Sequence, residues 1–240
     1  MKEFLRIIEE PRQCPYLPRE RASLEFRVVT NLPGAAYADL LARGYRRFGH
    51  QLYRPACGSC QSCVSLRILV AEFSPSRNQR RVLRENAAIR IERRRPSISE
   101  RHVELFNRYH RFMAVHRAWR TDSITLEAYA ESFVMGGEDF GWEWLFYDGS
   151  ELVGVTLMDQ VRDAISLVYH FHDPAWRPSS PGVFSILTQL EHAKGEQITY
   201  AYPGYWVSGN ASMSYKARYR PHEKLLAYPP DSRQPHWVRV

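Results

Sequence analysis

Four cysteines carry the most distinctive chemical spacing in this sequence of 240 residues. Cys57, Cys60 and Cys63 recur at every third residue, Gly58 allows a tight turn between them, and Cys14 lies near the start. In a chain without an export signal, closely spaced cysteines suit thiolate ligation better than disulfide formation. The four are therefore candidate ligands of a structural or regulatory zinc ion or iron–sulfur cluster. A second Cys-x-x-Cys pair is absent, so four reduced cysteines without metal remain the alternative.

Arginines dominate the segment from Arg77 to Arg120. This segment holds 13 arginines, no lysine and four acids, whereas the net charge of the whole chain is only +7. Because the planar guanidinium suits phosphate, this excess predicts a polyanionic partner. Arg77, Arg80, Arg81 and Arg84 recur at helical spacing and would share one helix face. The alternative is a solvated basic face without a ligand.

Hydrophobic periodicity indicates the elements that must position these residues. A strand-rich region around one helix comes first, an arginine-rich helical segment follows, and strands return after residue 142. The predicted strands cover residues 24–30, 45–53, 64–70, 142–147, 152–159, 164–170, 198–202 and 225–228. The predicted helices cover residues 35–43, 76–92, 97–118, 183–193 and 210–218.

The order after residue 142, β-β-β-α-β-α-β, resembles the acyltransferase fold best known from the Gcn5-related acetyltransferases. In that fold a splayed central sheet admits the acyl donor. We therefore predict an α+β or α/β protein with three regions. These are an N-terminal cysteine-containing α+β region at 1–75, an arginine-rich helical segment at 76–120, and an acyltransferase-like (GNAT) domain at 121–240.

Four sets of motifs, in order along nearly the whole chain, resemble the bacterial branch of the arginyl-tRNA–protein transferase family. They are Cys-Pro-Tyr-Leu-Pro at 14–18, Arg-Pro-Ala-Cys-Gly-Ser-Cys-Gln-Ser-Cys at 54–63, Phe-Ser-Pro-Ser-Arg-Asn-Gln-Arg-Arg-Val-Leu at 73–83, and Gly-Tyr-Trp-Val at 204–207 followed by Met-Ser-Tyr-Lys at 213–216 and Tyr-Arg-Pro at 219–221. This resemblance implies aminoacyl transfer from charged tRNA to a protein α-amine, which marks the protein for degradation. Leucyl-tRNA is the expected donor, and proteins that begin with Asp or Glu are the expected acceptors.

Because arginine binds phosphates and grips carboxylates through two nitrogens, the arginines of this helix face have separate expected roles. Arg77 and Arg84 are expected to contact phosphates, and Arg80 or Arg81 to receive the carboxylate of an acidic N-terminal residue. Gln79 belongs to the same motif and is a further candidate for substrate binding.

Further candidates flank the predicted cleft. Three are substrate-binding residues, His116, Arg177 and Gly182, and they fall where the sequence departs from the family pattern. Similar proteins carry Arg-Ser-Leu-Gly where this chain reads Ser-Ser-Pro-Gly at 179–182, so Arg177 would replace the missing arginine. Similar proteins carry Arg-His-x-Asp-Gly where this chain reads Val-His-Arg-Ala-Trp at 115–119.

Candidate catalytic residues follow the strand that ends near residue 202. An aminoacyl ester is already activated, so the chemistry needs alignment of a neutral amine and support for the developing oxyanion, and no cofactor. Asp173 or Tyr205 would accept the amine proton, while Tyr215 or Lys216 would support the ester oxygens. Trp206 would bind substrate by stacking on a base or forming an apolar wall, with core packing as the alternative.

Three other functions are alternatives. The same reaction with arginyl-tRNA would require an acidic receptor for the donor side chain. An acyl-CoA acetyltransferase would need a glycine-rich pyrophosphate loop, but residues 177–182 contain one glycine and two prolines, which remove backbone donors. A non-catalytic zinc-dependent RNA-binding module would explain the cysteines and arginines but not the C-terminal half.

Composition agrees with an intracellular enzyme. The chain is 44% hydrophobic and 25% charged, as in ordinary globular proteins. No apolar run approaches the roughly 18 residues that a membrane span requires, and the first ten residues lack the apolar stretch of a signal peptide. We therefore expect a cytoplasmic protein with no membrane partner.

Overall fold

The computed structural model describes residues 1–119 and 123–240, in which fourteen strands, six α-helices and four short 3₁₀ or π-helical segments are defined. The strands are β1 (Lys2–Ile8), β2 (Arg12–Gln13), β3 (Arg21–Ala22), β4 (Leu24–Thr30), β5 (Arg46–Phe48), β6 (Gln51–Pro55), β7 (Cys63–Leu69), β8 (Arg90–Arg94), β9 (Gly141–Asp148), β10 (Glu151–Val161), β11 (Ala164–His172), β12 (Tyr200–Val207), β13 (His222–Leu225) and β14 (Trp237–Arg239). The helices are α1 (Gly34–Ala42), α2 (Arg77–Glu85), α3 (Glu100–Arg117), α4 (Leu126–Tyr129), α5 (Pro181–Gly195) and α6 (Ala211–Ser214). None of the described helices is both long enough and apolar enough to cross a membrane.

A small antiparallel sheet in the order β1-β4-β6-β5 forms the N-terminal part. Its inner strand β4 alternates buried and half-buried residues, as a strand with one face on a core must. The single strand predicted at residues 45–53 is wrong, because the chain reverses there into the β5–β6 hairpin. Gly49 makes the reversal with a φ of 54°, and its Cα lies against the carbonyl of Glu131, which leaves no room for a side chain.

An eight-stranded mixed sheet in the order β14-β13-β7-β12-β11-β10-β9-β8 forms the rest of the framework. The predicted α+β class is confirmed. Strand β7 comes from the predicted region 1–75 and β8 from the predicted region 76–120, so all three regions contribute strands to one sheet. The predicted boundary between residues 120 and 121 lies outside the described residues.

Helices cover both faces of this sheet because its strands are apolar on both sides. On one face α5 and α2 pack over a core that includes Trp144, Phe146 and Met158. On the other face α3 packs over the neighbouring residues of the same strands, including Leu145 and Leu157. Residues of both α3 and α5 line the cleft described below.

Two predicted helices are shorter in the structure. The helix predicted at residues 76–92 ends at Glu85, and the chain continues into β8, which pairs with β9. Arg90 and Arg93 of β8 stack on Tyr147 and Trp142, which gives this basic strand a surface to pack on. The helix predicted at 210–218 consists of α6 and a 3₁₀ turn at Tyr215–Arg218.

Candidate active site

A cleft opens in the middle of the large sheet, where β11 and β12 separate. The two strands pair in parallel only over Ala164–Ser166 and Tyr200–Tyr202. Beyond that point β11 remains paired with β10, and β12 remains paired with β7, so the strands diverge. The opening has a volume of about 1090 Å³. This splay is where the fold was predicted to admit the acyl donor.

A buried hydrogen-bond network lies along one wall of the cleft. Thr156 Oγ1 is 2.8 Å from His170 Nδ1 and 2.7 Å from Ser185 Oγ, and Gln189 Nε2 donates to Ser185 Oγ at 3.2 Å. Among the described residues, His170 Nε2 and Gln189 Oε1 have no hydrogen-bond partner. Burial, and then the neighbouring His172, hold the pKa of His170 well below its ordinary value. The network therefore presents neutral donors and acceptors to the cleft.

Aromatic side chains around His110 form an aromatic wall of the cleft. Tyr109, Trp119 and Tyr169 surround His110, whose Nε2 lies 2.9 Å from the Tyr169 hydroxyl. Burial lowers the pKa of both His110 and His172 to about 4, so neither is charged at neutral pH. This wall is suited to an uncharged side chain.

Lys216, a predicted catalytic residue, lies in the cleft. Its Nζ donates to the backbone carbonyl of Tyr205 at 2.9 Å and is largely enclosed. Burial, and then the positive charge of Arg46, lower the pKa of Lys216 to about 7. A Cβ at Gly204 would come within 3.2 Å of Lys216 Nζ, and the φ of 95° at Gly204 also disfavours a side chain. Glycine at this position lets the lysine approach the strand.

Tyr205 also lines the cleft, but its hydroxyl is directed into the protein. It bonds to the carbonyl groups of Gly44 at 2.9 Å and Tyr53 at 3.1 Å. Burial is the main cause that raises the pKa of this phenol well above its ordinary value. The geometry therefore gives no support to the prediction that Tyr205 accepts a proton.

A second cavity of about 830 Å³ adjoins the cleft and brings together four predicted residues. His116 and Arg177 both lie against Phe112: the His116 ring is stacked 3.8 Å from the Phe112 ring centre, and the Arg177 guanidinium carbon is 5.4 Å from it. Gly182, at the start of α5, and Tyr215 line both this cavity and the cleft. The residues predicted from the departures at 115–119 and 179–182 therefore meet at one place.

All four cysteines line the cleft near Lys216. Burial first, and then the other three cysteines, raise the pKa of Cys63 to about 12. The amide of Leu17 donates to Cys14 Sγ at 3.4 Å and the amide of Ser23 to Cys57 Sγ at 3.5 Å, as amides do around metal-bound thiolates. Within residues 1–119 and 123–240, no group of three or more His, Cys, Asp or Glu side chains is arranged to hold a metal ion. Zinc or cluster binding stays a prediction.

The predicted arginines of α2 lie outside both cavities. Arg77, Arg80, Arg81 and Arg84 are all exposed, and none lines the cleft or the adjoining cavity. The predicted carboxylate role of Arg80 or Arg81 therefore lacks support from the geometry.

Gln79 is buried and forms a capping box with Ser76. Ser76 N donates to Gln79 Oε1 at 2.8 Å, and Gln79 N donates to Ser76 Oγ at 3.3 Å. The side chain of Gln79 therefore stabilises the start of α2, and its predicted contact with substrate lacks support from the geometry.

Asp173 and Trp206 also lie apart from the cleft lining. Asp173 accepts a hydrogen bond from the amide of Ala175 at 2.9 Å and forms an ion pair with Arg108 at 3.2 Å. Trp206 lies next to Tyr205 on β12 and so faces the opposite side of the strand, where Lys224 is 4.6 Å from its ring. Proton transfer by Asp173 and substrate binding by Trp206 stay predictions, and neither residue lines the cleft or the second cavity.

Sequence reasoning missed Arg46, His170 and His172. The two histidines are two apart in a predicted strand, so their shared face could have been inferred. Arg46 gave no comparable signal, since a pair of arginines in sequence is usually solvated.

Comparison with known proteins identifies the family. The description "Arginine-tRNA-protein transferase, C terminus" matches residues 101–226, and the corresponding N-terminal description matches residues 12–81. The chain belongs to this family. It is accordingly an aminoacyltransferase, and the non-catalytic alternative is not favoured.

Curated relatives in the arginine-tRNA-protein transferase family match most of the chain. The aspartate/glutamate leucyltransferase of Helicobacter hepaticus is 37% identical over 236 residues, which cover 97% of this chain and 98% of that protein. The protein of the same name from Campylobacter jejuni is 40% identical over 213 residues, covering 89% of each chain. The one from Pseudomonas putida is 35% identical and covers 90% of this chain and 92% of that protein.

Proposed function

We propose that this family member transfers leucine from leucyl-tRNA to the α-amine of proteins that begin with Asp or Glu. One observation carries the choice of substrates. No Asp or Glu is among the described residues that line the cleft or the adjoining cavity, whereas Arg46, Arg117, Arg177 and Lys216 do line them. Such a site has cations for an acidic acceptor and for phosphates. It offers no described carboxylate for the guanidinium of an arginyl donor.

The aromatic wall supports the same donor. The charged side chain of an arginyl donor would be desolvated by Tyr109, Trp119 and Tyr169 and would find no carboxylate to pair with. This desolvation costs several kcal/mol, which corresponds to on the order of a thousandfold in selectivity. Leucine bears no such cost. The names of the curated relatives agree with leucine as the donor.

The reaction exchanges an ester for an amide. The neutral α-amine of the acceptor attacks the carbonyl carbon of the leucyl ester, the new C–N bond forms, and the bond to the ribose oxygen breaks. The proton released from nitrogen ends on that ribose oxygen. His172 is unprotonated at neutral pH and lines both cavities, which supports a role in relaying the proton. Lys216 and Tyr215 line the cleft, which supports a role in donating to the oxyanion.

If a zinc ion or an iron–sulfur cluster binds, Cys14, Cys57, Cys60 and Cys63 would hold it beside the cleft and it would stabilise that part of the fold. The transfer steps above use only side chains of the chain and the activated ester. Cytoplasmic location likewise stays a prediction.

A transfer assay with matched donors and acceptors tests this function. Peptides that begin with Asp, Glu, Lys or Arg would be offered with leucyl-tRNA, arginyl-tRNA or acetyl-CoA, and the modified terminus read by mass spectrometry. We expect leucine on the Asp and Glu peptides only. Arginine on those peptides would contradict the donor, leucine on Lys or Arg peptides would contradict the acceptor, and acetyl transfer would contradict the reaction class.

A further inference from the structure

Four arginines are almost completely buried, and one of them differs from the others. Each has an exposed fraction of 4–5%. Three form ion pairs with carboxylates: Arg27 with Asp231, Arg47 with Asp159 and Arg54 with Glu25. Arg46 forms an ion pair with no acid among the described residues. Burial of a cation without an opposite charge is unfavourable, so Arg46 is a candidate for binding an anionic ligand.

The contacts of Arg46 hold the guanidinium in place without neutralising it. Nη1 donates to the carbonyl of Tyr45 at 2.8 Å, and Nη2 donates to Ser65 Oγ at 3.0 Å. Nε has no partner among the described residues. A guanidinium has five N–H groups, so three remain unassigned. The rings of Tyr202 and Tyr205 lie 5.3 and 5.5 Å from its central carbon and limit its movement.

Arg46 also lies in the cleft that the proposed reaction uses. It lines the opening between β11 and β12, and Lys216 lines the same cleft. Arg46 stays charged at neutral pH and no described Asp or Glu lines the cleft, so an anionic ligand would balance its charge. The proposed reaction supplies one anion from each substrate: the oxyanion of the ester and the side-chain carboxylate of the acceptor.

We propose that Arg46 receives the side-chain carboxylate of the acceptor's N-terminal Asp or Glu, while Lys216 faces the ester. This inference rests on the proposed function and assigns its acceptor specificity. A fixed, buried guanidinium with several free N–H groups binds a carboxylate through two oxygens, and a neutral amide in that place would leave the cation unbalanced. The site therefore selects Asp over Asn and Glu over Gln, although each pair is nearly identical in shape.

The test pairs a change in the enzyme with a change in the acceptor. Wild type and Arg46→Gln would be assayed with leucyl-tRNA and two peptides that differ only in Asp or Asn at the first position. For the wild type we expect kcat/KM to favour the Asp peptide by on the order of a hundredfold or more. In Arg46→Gln we expect kcat/KM for the Asp peptide to fall by on the order of a hundredfold, with little change for the Asn peptide. Arg46→Lys retains the charge and should keep part of the preference.

Arg54→Gln is the matched control, because Arg54 is equally buried but pairs with Glu25 and does not line the cleft. It is expected to unfold more readily and to keep the wild-type ratio between the Asp and Asn peptides. Arg46→Gln removes an unbalanced charge and is expected to fold at least as stably as wild type.

The outcomes separate the alternatives. If Arg46→Gln loses activity equally on both peptides, Arg46 balances another anion, and the proposal is wrong. If the same variant also has a higher KM for leucyl-tRNA, the anion that Arg46 balances is a tRNA phosphate. If the same variant instead loses bound metal, the anions are the cysteine thiolates. If Arg46→Gln fails to fold, the test uses Arg46→Lys instead. A lysine cannot bind a carboxylate through two nitrogens, so the proposal predicts a lower preference for Asp over Asn or a higher KM for the Asp peptide. If both values are unchanged in Arg46→Lys, the proposed contact is wrong. Failure of the proposed function itself would appear in the wild type, as absence of leucine on the Asp peptide.

Discussion

Lys216 illustrates how the surroundings of one residue set the charge available in the cleft. Its ammonium is enclosed, bonded to a backbone carbonyl and close to Arg46, and its pKa falls to about 7 from 10.5. The folded protein therefore releases this proton at a pH where the unfolded chain still holds it. A buried lysine of this kind lowers stability, which makes it a candidate for a functional role.

Replacing this lysine is expected to stabilise the protein in a pH-dependent way. Between pH 7 and 10.5 the unfolded chain binds more protons at Lys216 than the folded protein does, so wild-type stability rises with pH across that window. Lys216→Met should therefore be more stable than wild type by a few kcal/mol below pH 7, and the difference should shrink toward pH 10.5. Urea unfolding at several pH values measures this. The exposed Lys194→Met is the control, and a difference independent of pH would contradict the burial argument.

At this scale the sequence identified part of the site. Lys216, Tyr215 and Gly182 were predicted and do line the cleft, because the motifs that carry them are local in sequence. Arg46 and the network of Thr156, His170, Ser185 and Gln189 could not be predicted in this way. Their importance comes from burial and from partners far apart in the chain, which composition and spacing do not encode.

Helix α2 shows how an element can carry charge outside the catalytic cleft. Val82 packs the helix onto the core, the capping box fixes its start, and its four arginines remain exposed. Its C-terminal end is tied to the segment before α5, since the Asn86 side chain donates to the carbonyl of Ser179 at 2.8 Å. This bond joins the C-terminal end of α2 to the segment whose next residues, Ser180 to Gly182, line the second cavity.

We expect the arginines of α2 to bind tRNA without selecting the acceptor. Arg80→Ala combined with Arg81→Ala should raise KM for leucyl-tRNA. It should also reduce the number of counterions released on tRNA binding by roughly two, which lowers the slope of log affinity against log salt concentration. The ratio of kcat/KM between Asp and Asn peptides should not change. Filter binding at several salt concentrations and the peptide assay measure the two effects. Loss of the Asp preference in this variant would restore the sequence-based assignment of the carboxylate to Arg80 or Arg81.

Element boundaries were predictable where local signals are strong. Strands β9 and β10 and helix α5 lie close to their predicted positions. Strand β8 was missed because five residues rich in arginine resemble the continuation of a helix. Its extended conformation depends on pairing with β9 and stacking on Trp142 and Tyr147, which are about fifty residues away.

At the scale of the whole molecule, the N-terminal third completes the catalytic sheet. Strand β7 lies between β12 and β13, and its residues Leu66 and Ile68 are fully buried. Arg46 of β5 donates to Ser65 of β7, and the Tyr205 hydroxyl of β12 donates to the carbonyl groups of Gly44, just before β5, and Tyr53 of β6. The cleft is therefore built from both halves of the chain, and neither half contains it alone.

This arrangement predicts one cooperative unfolding transition for the full chain. A strand in the middle of a sheet supplies hydrogen bonds to two neighbours, so its loss exposes the edges of both β12 and β13. A fragment of residues 76–240 should therefore lack native secondary structure by circular dichroism, whereas the full chain should give coincident denaturation curves by circular dichroism and tryptophan fluorescence. Leu66→Ala in the full chain should cost about 2–5 kcal/mol and shift both curves together without changing their slope. Two separate transitions, or a folded 76–240 fragment, would show that the C-terminal region is stable without β7 and that the sheet is assembled from independently folding parts.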